Sequence, residues 1–267
     1  MNTQMLKAYL DKIGFCDEMQ PQLETLTALH NKQHQTIPFE NLDIVNGQKI
    51  ELSEEAIFDK LINQQRGGYC FEVNGLLNQA LKATGFDVTQ RLGRVHLSAT
   101  PSGRGHLVNI VRLDNQDWLV DAGFGANTPR RPIPLVFNEE LRTDTQAFRF
   151  IQDANFGAML QALVEDSWTS LYSLDMGHVC DGDIEYGNHF ASTGDTSLFT
   201  SNIVAVSRTE YGPNILFNNR LKLATKDGNT ELELTTENEF TQVLNTHFGI
   251  IHNVPFHHFQ RILNNLD

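Results

Sequence analysis

Cysteine is scarce in this chain: Cys16, Cys70 and Cys180 are the only three in 267 residues, and no two stand in a CxxC spacing. An odd, scattered set offers neither a disulfide framework nor a thiolate zinc site, so no metal is expected and a reducing compartment suits the chain. Positive charge is also short, with 20 Lys and Arg against 33 Asp and Glu and a formal charge of −13. Nucleic acid and anionic membranes both demand a dominant positive field, so neither is expected as a partner; a small molecule or a protein is. No apolar run approaches the ~18 residues of a membrane span, and the opening MNTQMLKAYLDKIGF has no signal-peptide core, which together predict a cytoplasmic protein. Internal repeats, low-complexity tracts and long linkers are lacking too.

What the chain does have is a change of period. Met5, Leu6, Tyr9, Leu10 and Ile13 recur at helical spacing up to Gly14, and a second helix is expected after Pro21 with Leu23, Leu26 and Leu29. Ser53 before Glu54 and Glu55 reads as an N-cap and acidic first turn, with Ile57, Phe58, Leu61 and Ile62 on one stripe. A further helix is expected from about Tyr69 to Thr84, stopped by Gly85. From Phe86 the pattern alternates in strand fashion to about Phe217, and the last segment returns to helical spacing. The expectation is an α+β protein: a helical layer over residues 1–85, then a β-rich middle, then a mixed end.

Within QQRGGYCFEVNGLLNQAL, Cys70 stands at a helix start just past Gly67 and Gly68. There the helix dipole and unpaired N–H groups favour thiolate over thiol, while glycines let the chain bend and a substrate approach. A cysteine nucleophile needs a base held by a carboxylate or amide. His106 opens the strand HLVNIV and Asp121 closes the strand WLV before AGFG. A hairpin turn within residues 114–117 would put both on one face by parity. A turn centred on Asn115 and Gln116, however, sets Asp121 opposite Ile110, four residues or roughly 13 Å from His106. Spacing alone therefore leaves the pair open, since aspartates also form turns and strand histidines are often ordinary hydrogen-bonding residues.

Taken in order, IPFENLDI, RGGYCFEVNGLL, GRVHL, GHLVNIV and WLVDAGFG closely resemble the arylamine N-acetyltransferases over about residues 1–220. The resemblance implies a triad of the cysteine-protease type: Cys70 accepts the acyl group, His106 is the base and Asp121 orients it. It also implies a fold of helical bundle, β-barrel and α/β lid, placed here at residues 1–85, 86–195 and 196–267, and the stretch after about Leu221 matches least. Acetyl-CoA would be the co-substrate, delivering acetyl through an acetyl-cysteine to an arylamine, arylhydrazine or N-hydroxyarylamine. Phe39, Val95, Phe124 and Phe199 match positions that line the acceptor pocket.

CoA is an anion and needs a positive or N–H-rich spot in an acidic protein. No lysine occurs from Ala83 to Leu221, but six of twelve arginines fall between 91 and 131. Arg130 and Arg131 are therefore candidates for a CoA phosphate, with the N–H groups of Gly125 and Ala126 beside them. The competing readings are a cysteine peptidase or transglutaminase-like acyl transfer, and a module that keeps the fold without catalysis. The sequence leaves room for a homodimer. Cys16 and Cys180 read as structural, and His257 and His258 should point apart as neighbours do on a helix.

Overall fold

The computed structural model describes residues 1–143 and 145–265. Two helices open the chain, α1 (Thr3–Ile13) and α2 (Leu23–Thr36), the first capped by Asn2 and stopped at Gly14 with φ +66. The short strand β1 (Phe39–Glu40) and α3 (Leu42–Val45) lead to α4 (Glu54–Phe58). Ser53 Oγ accepts from Ala56 N–H at 3.3 Å, the expected cap, and α4 runs on into a π-helical turn, Asp59–Asn63. The central helix α5 spans Cys70–Ala83. Leu76, Leu77, Ala80 and Leu81 are fully buried and tie it to α1 and α2, each leucine contributing roughly 1.5–3 kcal/mol of burial.

Eight strands follow in one antiparallel sheet: β2 (Asp87–Val95), β3 (Arg104–Leu113), β4 (Gln116–Val120), β5 (Ile133–Pro134), β6 (Leu141–Arg142), β7 (Ala147–Asp153), β8 (Gly157–Val164) and β9 (Ser167–Leu174). Their order is β5-β4-β3-β2-β9-β8-β7-β6, and the sheet curls into a nearly closed barrel around Val108, Ile110, Phe148, Phe150, Leu160 and Tyr172. Inside the stretch expected to be all strand, Asp181–Thr193 is instead a helix, α6. Its buried positions are Gly187, Asn188 and Ala191, which carry almost no apolar signal, so the helical period is invisible in the sequence. The helix α7 (Leu198–Ser201) comes next.

The second sheet has the order β1-β10-β11-β12-β13, with β10 (Val204–Arg208), β11 (Pro213–Phe217), β12 (Arg220–Thr225) and β13 (Gly228–Glu233). Strands thus continue past Phe217. The helices α8 (Glu237–Phe248) and α9 (Phe256–Leu263) cover this sheet through Phe240, Leu244, Phe248, Phe259 and Ile262. β1 pairs antiparallel with β10, Phe39 opposite Val206, so a piece of the N-terminal region completes the C-terminal sheet. On α9 the rings of exposed His257 and half-buried His258 lie 4.2 Å apart rather than diverging. The architecture is the expected α+β arrangement of helices, barrel and covering sheet; positions 266 and 267 of the lid lie outside the described residues.

Candidate active site

Residues 66–69 deliver Cys70. Gly68 bridges Phe39 in parallel, with Glu40 N–H donating to Gly68 O at 3.0 Å. A Cβ on Gly67 would stand 2.2 Å from Pro38 O, so glycine serves a close approach of the protein's own backbone rather than of a substrate. Arg66 donates to Glu40 at 2.8 Å and to Asp43 at 2.8 Å, while Lys60 reaches Asp43 and Glu72, both at 2.7 Å. Burial opposes the charge of Asp43, but Lys60 and Arg66 prevail and hold its carboxyl below the usual range. Glu72 also accepts from Tyr69 N–H at 3.2 Å, fixing the residue before the thiol. Glu40 and Asn41 hold loops: Asn41 Nδ2 donates to Phe199 O and Asn202 O, and its Oδ1 accepts from Val204 N–H.

Cys70 is the first residue of α5 and 3% exposed, with Sγ 3.8 Å from Gly105 O. His106 hydrogen-bonds the thiol and, through Nε2, Asp121 Oδ2 at 2.8 Å. The register explains how the last pair meets. Asp114 and Asn115, at φ +49 and +62, form the two-residue turn, so Leu113 pairs with Gln116 and Asn109 with Val120. Continued one step, this sets Asp121 against Val108, two residues or roughly 7 Å from His106 instead of four, within reach of two side chains on one face. The turn falls one residue earlier than expected because two consecutive Asx residues tolerate positive φ.

Asp121 is fully buried and receives four donors. His106 and the Tyr172 hydroxyl reach Oδ2, while Asn74 Nδ2 and Gly123 N–H reach Oδ1, all at 2.8 Å. Burial alone would raise the Asp121 pKa, but His106 and these donors bring it down to about 2. Burial likewise works against charge on His106, yet Asp121, with Cys70 adding, lifts it to about 10. Behind the aspartate, His30 donates from Nε2 to Asp121 O at 2.8 Å; burial holds its pKa down to about 4, so it is a neutral donor. A Cβ on Gly123 would lie 2.5 Å from Val73 Cγ2 and 3.1 Å from Cys70 Cα, so glycine lets this turn touch the nucleophile helix.

The spacing argument missed Asn74, Tyr172 and His30. Asn74 had a signal, a polar residue four places after Cys70 and hence on its face of α5. It also donates to Leu107 O and accepts from Ala122 N–H. Tyr172 had none, since only the pairing of β2 with β9 sets it opposite Val95.

The structure groups the expected lining residues unevenly. Phe124 stacks edge-on to His106 at 4.8 Å, and Phe199 lies 5.3 Å from Tyr69 and 6.0 Å from Phe39. Phe39, Phe199 and Cys70 share one apolar cluster. Val95 stands at the end of β2, half-buried, with its N–H on Ser102 Oγ, outside that cluster. Gly125 and Ala126 form a half-buried 3₁₀ turn directly after Phe124. Arg130 is 5% exposed, its Nη2 toward Thr209 O, whereas Arg131 is exposed with Nη2 on Arg142 O at 2.7 Å. Cys16 and Cys180 are exposed free thiols, and Cys180 caps α6, its N–H donating to Asp183 Oδ2 at 2.9 Å. Among the described residues no group of three or more His, Cys, Asp or Glu could hold a metal ion, and no helix is long and apolar enough to cross a membrane.

Comparison with known proteins fits this arrangement. Residues 22–255 match the N-acetyltransferase family. Arylamine N-acetyltransferase of Escherichia coli K12 is 33% identical over 81% of this chain and 78% of its own length. Human arylamine N-acetyltransferase 1 is 32% identical over 92% and 93%. Among solved structures, the Salmonella typhimurium arylamine N-acetyltransferase superposes with a TM-score of 0.91 at 28% identity, covering 99% of this chain and 100% of its own. The Mycobacterium marinum enzyme in complex with CoA gives 0.85 at 32% identity over 92% of each chain. A match over most of the chain, at these identities and with this fold, means that the protein is an acyltransferase of the arylamine N-acetyltransferase family.

Proposed function

We propose that this protein transfers an acetyl group from acetyl-CoA to arylamines, arylhydrazines or N-hydroxyarylamines through an acetyl-Cys70 intermediate, in a ping-pong cycle. The observation that carries the reading is the buried chain Cys70–His106–Asp121 at the start of α5. His106, held by Asp121, is placed to take the thiol proton and leave the sulfur as the nucleophile. The thiolate attacks the acetyl carbonyl, and the positive end of the α5 dipole stabilises the oxyanion. The intermediate collapses by breaking the bond to the CoA sulfur, which takes the His106 proton and leaves as the free thiol.

Acetylation of Cys70 removes the thiolate that helped keep His106 charged, so the imidazole becomes a readier base for the second half. The amine attacks the thioester, gives a proton to His106 and expels the Cys70 thiolate, which restores the starting pair. Arylamines are weakly basic and neutral at pH 7, so they enter an apolar cleft without losing a tightly held hydration shell. Phe39, Phe124 and Phe199 supply its walls, and Val95 its edge. For CoA, Arg131 is the exposed member of the arginine pair and would meet a phosphate, while Gly125 and Ala126 offer N–H groups; Arg130 faces inward. An Arg131→Ala protein with an unaltered KM for acetyl-CoA would remove that assignment.

The test is intact-protein mass after brief incubation with acetyl-CoA and no acceptor. One acetyl adduct is expected on the parent and none on Cys70→Ala, with discharge on adding an arylamine. An unmodified parent whose Cys70 still alkylates readily would overturn the reading in favour of another acyl donor or hydrolysis.

A further inference from the structure

The helix α5 has two working stripes. Cys70, Asn74 and Leu77 face the triad and the helical core, whereas Phe71, Gly75, Asn78 and Gln79 face away and line a cavity of about 420 Å³ beneath α6. That volume lies in the range of small-molecule sites. Its lining is mixed, polar and apolar in about equal measure, and its apolar part is interior: Ile50, Ile57, Phe71 and Leu107 are each less than 6% exposed.

The polar groups of the floor show what is left over. Asn78 Nδ2 is committed to Asn109 Oδ1 at 3.0 Å, and Asn188 Nδ2 to Ile50 O at 3.1 Å. Asn188 Oδ1 accepts from the Tyr69 hydroxyl. Gln79 Oε1 is buried and has no hydrogen-bond partner, a carbonyl acceptor that wants a donor. At the rim stand three carboxylates, Glu51, Asp181 and Glu185, against one ammonium, Lys49, which pairs with Glu51 at 2.9 Å. Acid is therefore in excess at the rim of a cavity whose floor carries both apolar residues and an unpaired carbonyl.

We propose that this cavity is a second ligand site, for a protonated amine carried on an apolar body. The ammonium would donate to Gln79 Oε1 and lie in the field of Asp181 and Glu185, while the hydrocarbon covers Phe71, Ile57 and Leu107. Such a ligand differs in charge from the neutral amine acceptor of the catalytic cleft, and it binds the opposite side of the helix that carries Cys70. The site therefore does not depend on the acetyl-transfer reading.

The experiment is calorimetric titration with phenethylammonium chloride at pH 7, using 2-phenylethanol as the uncharged control, on the parent, Gln79→Leu and Glu185→Gln, and on parent alkylated at Cys70. Saturable binding of the ammonium and none of the alcohol is expected. Gln79→Leu should weaken it about tenfold and the exposed Glu185→Gln about threefold, with circular dichroism checking that each is folded. Alkylation at Cys70 should leave the affinity unchanged. The proposal fails if no saturable binding occurs up to about 10 mM, if the alcohol binds as well, or if both variants bind like the parent. It also fails if alkylation abolishes binding, since the amine would then sit in the catalytic cleft.

Discussion

The loop that delivers Cys70 and the turn that delivers Asp121 are held by opposite kinds of chemistry. Around residues 66–69 the partners are ions: Arg66 and Lys60 on one side, Glu40, Asp43 and Glu72 on the other, most of them buried. Around residues 121–123 they are dipoles, namely the Asn74 amide, the Tyr172 hydroxyl, the Gly123 N–H and the neutral His30 ring. The ions fix a backbone, two cations holding three carboxylates. The dipoles fix a carboxylate without adding a second full charge, so the field on His106 comes from Asp121 and Cys70. Where a charge must be tuned the neighbours are uncharged; where only a chain path must be set they are not.

Asp121→Asn should break the tuned side most severely. With the counter-charge gone and burial remaining, the His106 pKa should drop well below about 10. Acylation by acetyl-CoA should slow by about 10³–10⁴-fold, read by stopped-flow or quench mass, with the fold intact by circular dichroism. A loss under tenfold would mean that the neutral donors suffice.

Glu40→Gln tests the ionic side. It removes one of the two carboxylates that hold buried Arg66, leaving Asp43, and should cost about 1.5–3 kcal/mol in urea unfolding. The remaining folded protein should acylate within a few-fold of the parent rate, since Glu40 only sets the backbone. A rate loss as large as that of Asp121→Asn, at unchanged stability, would erase the distinction.

The third prediction sharpens the contrast by pH. His106 is raised from 6.5 in the unfolded chain to about 10 when folded, so its contribution is complete below pH 6.5 and lost as pH rises through about 10. The unfolding free-energy difference between the parent and His106→Phe should narrow steadily over that window. A flat difference would show that the imidazolium gains nothing from Asp121. The smallest effect is expected from Tyr172→Phe, which removes one of four donors to Asp121: about 1 kcal/mol of stability and roughly a tenfold slower acylation.

Much of this was legible along the chain wherever the controlling contacts are local. The Ser53 cap, the Gly14 stop and the Cys70 helix follow from capping and period within a few residues. The His106–Asp121 face follows from parity, but the turn needed one more local fact, the positive φ of Asp114 and Asn115. The helix α6 escaped because its buried side is Gly187, Asn188 and Ala191, and helical period is read from large apolar residues. The purpose of Gly67 was misread, since nothing local says that Pro38 O will come so near.

By itself, then, the sequence determined the helices-then-strands order, a candidate trio and the family, because these rest on local period, capping and an ordered set of short motifs. Only the tertiary structure decided that Tyr172 and Asn74 share Asp121, that β1 crosses to β10 and that Arg130 turns inward while Arg131 does not. Those contacts join residues 47 to 167 positions apart, and their free energy exists only after the intervening chain has been packed.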